Sequence, residues 1–391
     1  MPLSGSPLRV GIAGLGTVSA QVLRAFPAVE GVVLAAAADL RPEARAAFTA
    51  RYDLPAFASV EELCRGDAVD AVWIATPNHV HAEHAIVAGR SGKHVLCEKP
   101  IAVTLEECDR MVAAAESAGV RLLAAHSKIF DTPVQAMRAL IASGRLGRVI
   151  QINALVFNDW LQRPRLAPEL DTARGGGVVL RQGPHIVDIV RYLAGGEARE
   201  LRALAGRRDA NFDAEGNFAA LLEFTSGAVA SIGFNGYGYF DGTELTWGIG
   251  VYGDVKAGIR EAKPRPRLKG PLSADEKYVS SAFPAGESAT KARKRMPFFG
   301  LTIVSCERGV IRQSPDGLYL YDANGCTELA VPANPERAAE LTELRDAIAG
   351  RRPVFPDGRW GAATLEVCLA ILQSTREGRS IALARQGPPP R

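Results

Sequence analysis

Short apolar runs alternate with amphipathic stretches through the first third of the chain. Leu8–Ala13, Val32–Ala38, Ala71–Ala75, His94–Glu98 and Arg121–Ala125 are brief and mostly apolar, as strands buried on both faces are. Between them stand helix-start signals. A glycine turn precedes Thr17–Phe26, and a proline opens Pro42–Tyr52. Ser59-Val60-Glu61-Glu62 and Thr104-Leu105-Glu106-Glu107 read as capping boxes, and His79–Gly89 reads as a further helix. Strand–helix alternation of this length predicts a doubly wound parallel sheet with helices on both faces.

After Ala125 the pattern changes. A helix is expected with Thr132 as its N-cap, Pro133 in its first turn and Gly144 beyond its end. From Gly147 the chain is rich in strands: Val149–Phe157, Glu200–Gly206, Asn217–Phe224, Ala228–Phe234 and Leu245–Tyr252, with others around Val304, Gly309–Arg312 and Gly317–Tyr321. Helical patterns close the chain at Pro335–Ile348 and Gly361–Gly378. The expected fold is α/β. An N-terminal Rossmann domain spans residues 1–126, and an α+β domain with a large, mostly antiparallel open sheet spans 127–391. One sheet face is left for a subunit contact, so a homodimer or homotetramer through the C-terminal sheet is expected. Residues 256–296 read as a basic, proline-containing loop or arm, with eleven Lys/Arg against four Asp/Glu between Lys256 and Arg295.

Composition narrows the functional classes. At 391 residues, 47% apolar and 23% charged, the chain can build two cores, and its net charge of +3 is too small to imply a nucleic-acid partner. No apolar run approaches the roughly 18 residues of a membrane span, and the first residues lack signal-peptide features, so a cytoplasmic protein is expected. The six cysteines are scattered and read as reduced thiols. His79, His81 and His84 lack cysteine or acidic companions at zinc-site spacing, so no metal is expected.

Candidate chemistry gathers at the strand ends. Gly14-Leu15-Gly16-Thr17-Val18-Ser19 is a dinucleotide-binding turn with serine in the third glycine's place. Gly14 permits the tight turn, and Gly16 lets a pyrophosphate approach the backbone near Thr17 and Val18. Asp39, ending the second strand, is placed for the ribose hydroxyls and repels a 2′-phosphate, which favours NAD; Arg41 keeps NADP open. The tips Thr76-Pro77-Asn78 and Glu98-Lys99-Pro100 would line the same crevice. There, burial and a cationic cofactor ring can lower the Lys99 pKa into the range of acid–base work.

Ala75-Thr76-Pro77-Asn78-His79-x-His81, followed by Gly92-Lys93-His94-Val95-Leu96-Cys97-Glu98-Lys99-Pro100, resembles the signature of the Gfo/Idh/MocA oxidoreductases. The resemblance covers nearly the whole chain. It implies nicotinamide near Glu98 and Lys99, with Thr76, Pro77, Asn78 and His81 close by, and a cis Lys99-Pro100 bond. In the run Gly175–Asp188, His185 aligns with the histidine that partners the family's lysine, so Lys99 and His185 are the candidate catalytic pair. His185 and Asp188 are three apart on one helical face, which lets the carboxylate orient the imidazole. Many relatives carry an aspartate four residues before this histidine, where this chain has Arg181.

Asn158, Trp160, Arg163 and Arg165 lie upstream. With Arg181 they offer three guanidiniums beside an aromatic ring, suited to carboxylates. His126, which follows the last parallel strand, is a further candidate for substrate binding. W-x-x-R-P-R with G-G-G-V-V-x-R-Q-G-x-H looks like the phthalate 4,5-cis-dihydrodiol dehydrogenase branch. The expected activity is NAD-dependent hydride transfer from a carboxylated cyclic diol, best matched by phthalate cis-4,5-dihydrodiol going to 4,5-dihydroxyphthalate. His185 would accept the hydroxyl proton, and Lys99 would hydrogen-bond the developing alkoxide. Two alternatives stand: an inositol-like polyol or sugar dehydrogenase, and a non-catalytic NAD(P)-binding regulatory protein. The presence of both Lys99 and His185 argues against the second.

Overall fold

A computed structural model of the chain describes residues 6–256, 271, 295–333 and 337–389. The basic stretch between Lys256 and Arg295 lies almost wholly outside the described residues. The first half alternates as its apolar runs require: β1 (Leu8–Ala13), α1 (Thr17–Leu23), β2 (Val32–Ala38), α2 (Pro42–Tyr52), β3 (Ala56–Phe57), α3 (Val60–Cys64), β4 (Ala71–Ile74), α4 (His81–Arg90), β5 (His94–Glu98), α5 (Leu105–Ser117) and β6 (Leu122–Ala125). Its six strands are all parallel, in the order β3-β2-β1-β4-β5-β6. The order reverses at β1, which opens a crevice beyond the strand carboxyl ends between β1 and β4. Thr104 caps α5 with a full capping box. Ser59 accepts from Glu62 N, but Glu62 returns its carboxylate to Ala58 N rather than to Ser59, so only half a box forms there.

The second half begins with α6 (Thr132–Ala142), capped by Asp131 instead of Thr132, and β7 (Val149–Phe157). Then follow α7 (Gly177–Arg181), α8 (Gly183–Ala194), β8 (Ala198–Gly206), β9 (Asn217–Phe224), β10 (Val229–Asn235), β11 (Leu301–Cys306), β12 (Gly309–Ser314), β13 (Gly317–Asp322), β14 (Gly325–Ala330), α9 (Ala338–Ile348), α10 (Gly358–Glu377) and β15 (Ile381–Ala382). Nine strands form an open sheet ordered β14-β13-β12-β11-β7-β10-β9-β8-β15, antiparallel except between β7 and β10. Strict alternation in β9 buries Phe218, Ala220, Leu222 and Phe224 under the helices. The other face keeps Ile150, Leu155, Leu204, Leu221 and Val229 exposed.

Leu245–Tyr252, expected as a strand, is not one. Residues Gly242–Thr246 form a 3-10 turn, and Trp247 and Gly248 follow at φ values of 54° and 79°. Glycines at 242, 248, 250 and 253 interrupt the apolar alternation, leaving only an isolated Ile249–Val255 bridge.

A boundary at residue 126 separates the two sheets but not the two cores. Leu341 and Leu344 of α9 are fully buried with Leu8, Val10, Ile12, Trp73, Leu96 and Leu123 on one face of the parallel sheet. Each such leucine contributes about 1.5–3 kcal/mol by burial. The chain therefore returns from the second domain to finish the first. No helix among the described residues is long and apolar enough to cross a membrane.

Candidate active site

The glycine turn leaves the tip of β1 under tight constraint. Gly14 has φ +92°, and a Cβ there would lie 2.8 Å from the Ala75 carbonyl oxygen, so glycine is required. A Cβ on Gly16 would meet nothing within 4 Å, so this side is open to an approaching ligand. Thr17 is exposed and Val18 half-buried beside it. Ser19, in the third glycine's place, is buried and donates from Oγ to the Gly16 carbonyl at 2.6 Å, which tightens the turn. Leu15 N donates to Asp39 Oδ2 at 2.7 Å, so the carboxylate ending β2 is fixed beside the turn. Arg41 lies back on it, with Nε 3.0 Å from Asp39 Oδ1 and Nη2 2.9 Å from the Leu15 oxygen. An open glycine beside a held carboxylate fits the adenosine end of a dinucleotide.

The tips of β4 and β5 are stapled together by a buried histidine. His81 places Nε2 2.8 Å from the Thr76 oxygen and Nδ1 2.8 Å from the Pro100 oxygen. Thr76 Oγ1 meets His84 Nδ1 at 3.0 Å, and Asn78 Nδ2 donates to the Gly175 oxygen at 3.1 Å, joining the two domains beside Pro77. The Lys99-Pro100 bond is cis. Lys99 Nζ donates to the backbone oxygen of Arg181 at 2.7 Å. Burial, followed by repulsion from the Arg181 guanidinium, lowers the Lys99 pKa to about 7. Burial and the positive charge of Lys99 hold the His185 imidazole well below its usual range, so it is neutral.

Glu98 is buried and accepts from Trp73 Nε1 at 3.2 Å. It also pairs with Arg337, which precedes α9, and Arg337 Nε lies 2.8 Å from Glu340 Oε2. One guanidinium thus faces two buried carboxylates. Burial outweighs Arg337, and Glu98 adds to it, so the Glu340 pKa rises to about 8. Arg337 and Glu340 carry no local motif. The only sequence signal was that an acid ending a buried strand requires a cation somewhere.

The expected Asp188–His185 pair does not form. Asp188 is buried and turns to His126, with Oδ1 3.0 Å from Nδ1, and it accepts from Thr364 Oγ1 at 3.1 Å. Residues three apart share a helical face, but at α8 that face meets α10, so the carboxylate is drawn into the core. His185 Nδ1 has no partner among the described residues, and the ring packs on Phe299 with centroids 4.8 Å apart. Neither Phe299 nor the His126–Asp188 contact was apparent from sequence. His126 is 3% exposed, with its Nδ1 against Asp188.

The three arginines separate into two groups. Arg163 is half-exposed and pairs with Asp159 at 2.8 Å. Arg181 Nη2 lies 3.0 Å from Glu169 Oε1, and Arg165 Nη1 lies 3.8 Å from the same oxygen. Trp160 is buried and serves as a platform, with the Arg165 guanidinium 4.4 Å from its ring; Asn158 Oδ1 accepts from Trp160 N at 3.0 Å. Glu169 was missed, although its position four residues after Arg165 was a usable signal. The result is a crevice in which a lysine titrating near neutrality is flanked by a neutral imidazole and a guanidinium pair. Such a set can take a proton from a hydroxyl and hold an anion beside it.

Comparison with known proteins agrees with this geometry. Residues 8–126 match the Gfo/Idh/MocA sequence model described as an oxidoreductase family, NAD-binding Rossmann fold, and residues 134–253 match the Gfo/Idh/MocA C-terminal domain. The 1-carboxy-3-chloro-3,4-dihydroxycyclohexa-1,5-diene dehydrogenase of Comamonas testosteroni is 38% identical over 94% of each chain. The trans-1,2-dihydrobenzene-1,2-diol dehydrogenase of Sus scrofa is 32% identical over 57% of this chain and 67% of its own. A proposed dehydrogenase from Bordetella bronchiseptica RB50 superposes with a TM-score of 0.88 at 34% identity, over 96% of this chain and all of its own.

Proposed function

This chain belongs to the Gfo/Idh/MocA oxidoreductase family, with an NAD-binding Rossmann domain, and on that basis we propose that it dehydrogenates a carboxylated cyclic diol. The carrying observation is that one residue, Arg181, holds Lys99 by its backbone oxygen and turns a guanidinium to the same crevice. The Comamonas relative, whose substrate name combines a carboxylate with two ring hydroxyls, supports the reading. Phthalate cis-4,5-dihydrodiol, oxidised to 4,5-dihydroxyphthalate, is the diacid member of the substrate class.

Bound NAD supplies the hydride acceptor. Asp39 and the open Gly16 turn would hold the adenosine end, and Thr76, Pro77, Asn78 and Glu98 would border the nicotinamide end. Lys99, with a pKa of about 7, takes the hydroxyl proton at Nζ. The neutral His185 orients the same hydroxyl by a hydrogen bond, being too weak a base to take the proton itself. The roles expected from sequence are exchanged in this reading, because burial and neighbouring cations hold the imidazole well below its usual range while the amine is lowered only to about 7. Arg181, supported by Arg165 on Trp160, takes the carboxylate; Arg163, tied to Asp159 outside this pair, contributes only to the surrounding field. Loss of one proton and one hydride gives a ring ketone, which enolises to the catechol. The exposed apolar face of the nine-stranded sheet supports a homo-oligomer through that face.

The test is NADH formation over neutral dihydrodiols, carboxylated dihydrodiols, inositols and aldoses, with NAD and NADP in parallel. Carboxylated diols with NAD should dominate, and Arg181→Asp should abolish turnover of the acids. Undiminished activity of Arg181→Asp on the acids would remove the carboxylate assignment.

A further inference from the structure

We propose that Glu215 is a positioning residue that fixes the amine of Lys99 through the short helix α7. The inference rests on the reading above, which makes Lys99 the base, and adds what holds that base in place. A helix of five residues leaves most of its backbone groups without internal partners, so its position depends on what grips its ends. Near the amino end of α7, Val179 N donates to Glu215 Oε1 at 2.9 Å, and Val178 N donates to the Glu215 backbone oxygen at 3.2 Å. At the carboxyl end, Lys99 Nζ donates to the Arg181 backbone oxygen at 2.7 Å. Glu215 and Lys99 therefore hold the two ends of one spacer, about 7 Å long.

Glu215 is itself anchored. It is buried, and Thr172 Oγ1 donates to its Oε2. The next residue, Gly216, donates from N to the Gly206 oxygen at the end of β8 at 2.9 Å and accepts from Gly236 N at 2.8 Å, which ties it to the sheet. The glycine run before α7 follows from the same close approach. Gly177 has φ +78°, and a Cβ there would collide with the Glu215 carboxylate. A Cβ on Gly176 would lie 2.6 Å from the backbone oxygens of Glu169 and Asp171. An amine that donates one N–H to a fixed oxygen keeps its lone pair within a narrow range of directions. A shift of α7 would therefore misdirect the proton transfer.

The experiment is a double-mutant cycle between Glu215→Ala and Lys99→Met. It reads kcat with NAD and the fastest substrate of the panel above, per site that binds NADH. Glu215→Ala should lower kcat by roughly ten- to a hundredfold when Lys99 is present, and by less than about twofold when Lys99 is already methionine. NADH affinity should stay within about twofold of wild type. Glu215→Gln, whose amide oxygen still accepts from Val179 N, should recover most of kcat. A merely structural role predicts equal losses in both backgrounds. That result, or an unchanged kcat in Glu215→Ala, overturns the proposal. If Glu215→Ala does not fold, Thr172→Val decides, because it removes the donor to Oε2 from a half-buried position. Its kcat should fall by about threefold or more, and only while Lys99 is present. An unchanged kcat there overturns the proposal as well. Full turnover in Lys99→Met alone would instead remove the underlying assignment of Lys99 as the base, and the positioning role with it.

Discussion

Two charge clusters flank Lys99, and they are built to opposite proportions. On the cofactor side one guanidinium, Arg337, is shared by two carboxylates, Glu98 and Glu340. On the proposed substrate side one carboxylate, Glu169, meets two guanidiniums, Arg181 and Arg165. The first cluster is sealed, with side chains at most 7% exposed, and it resolves its surplus by keeping a proton on Glu340. The second is partly open, with the Arg181 side chain 26% exposed. The same ion-pair chemistry behaves differently in the two places because burial sets the cost of leaving a charge without its counter-ion.

Removing the lysine between the clusters should have the largest effect. Lys99→Met is expected to lower kcat by roughly 10²–10⁴-fold while NADH binding, read by fluorescence titration, stays near wild type. With Lys99 in its proposed role as base, kcat/KM of the wild type should rise with pH through about 7 and then level off. A flat profile there would assign the proton to another group.

Arg337→Met attacks the sealed cluster. It leaves the buried Glu98 carboxylate without its cation, and urea unfolding should show a loss of about 3–5 kcal/mol. The acid limb of the folded variant's pH profile should move to higher pH. Glu98 would then act on Lys99 uncompensated, and the repulsion from Arg337 would be gone. A limb that stays in place would show the two clusters to be independent.

The smallest effect is expected from Glu340→Gln. The folded-state pKa of Glu340 is raised from 4.5 to about 8, so the native protein holds a proton that the unfolded chain releases in this window. The contribution of Glu340 is thus full at acidic pH and lost as pH rises through about 8. Glutamine should flatten that decline, with a gain on the order of 1 kcal/mol at alkaline pH in denaturant titrations.

The cofactor crevice was legible because its determinants are local. The Gly14–Ser19 turn, Asp39 and the tip at Glu98-Lys99-Pro100 each sit where a short apolar strand ends, so pattern and position coincide. The charge clusters were only half legible. Arg165 and Arg181 stood inside recognisable motifs, whereas Arg337 meets Glu98 across 239 residues, a partnership created by packing alone. Asp188 shows the limit of helical spacing as a guide. The periodicity correctly gave it a face shared with His185, but only the packing of α8 on α10 determined that the carboxylate would meet His126. Leu245–Tyr252 failed for a different reason: its glycines favour turns, and they outweighed an alternation that would suit a strand.

The return of α9 to the parallel sheet also has a consequence in time. During synthesis a first domain commonly closes while later ones are still being made. Here the apolar face around Val10, Ile12 and Trp73, packed in part by Val22, Phe26 and Phe48, stays incomplete until Leu341 and Leu344 leave the ribosome. Until then Glu98, next to Lys99, also has no counter-ion from Arg337. The enzyme's oldest-made strand is thus completed by some of its newest-made residues, and a nascent chain stalled before them would carry the cofactor motif without the finished domain.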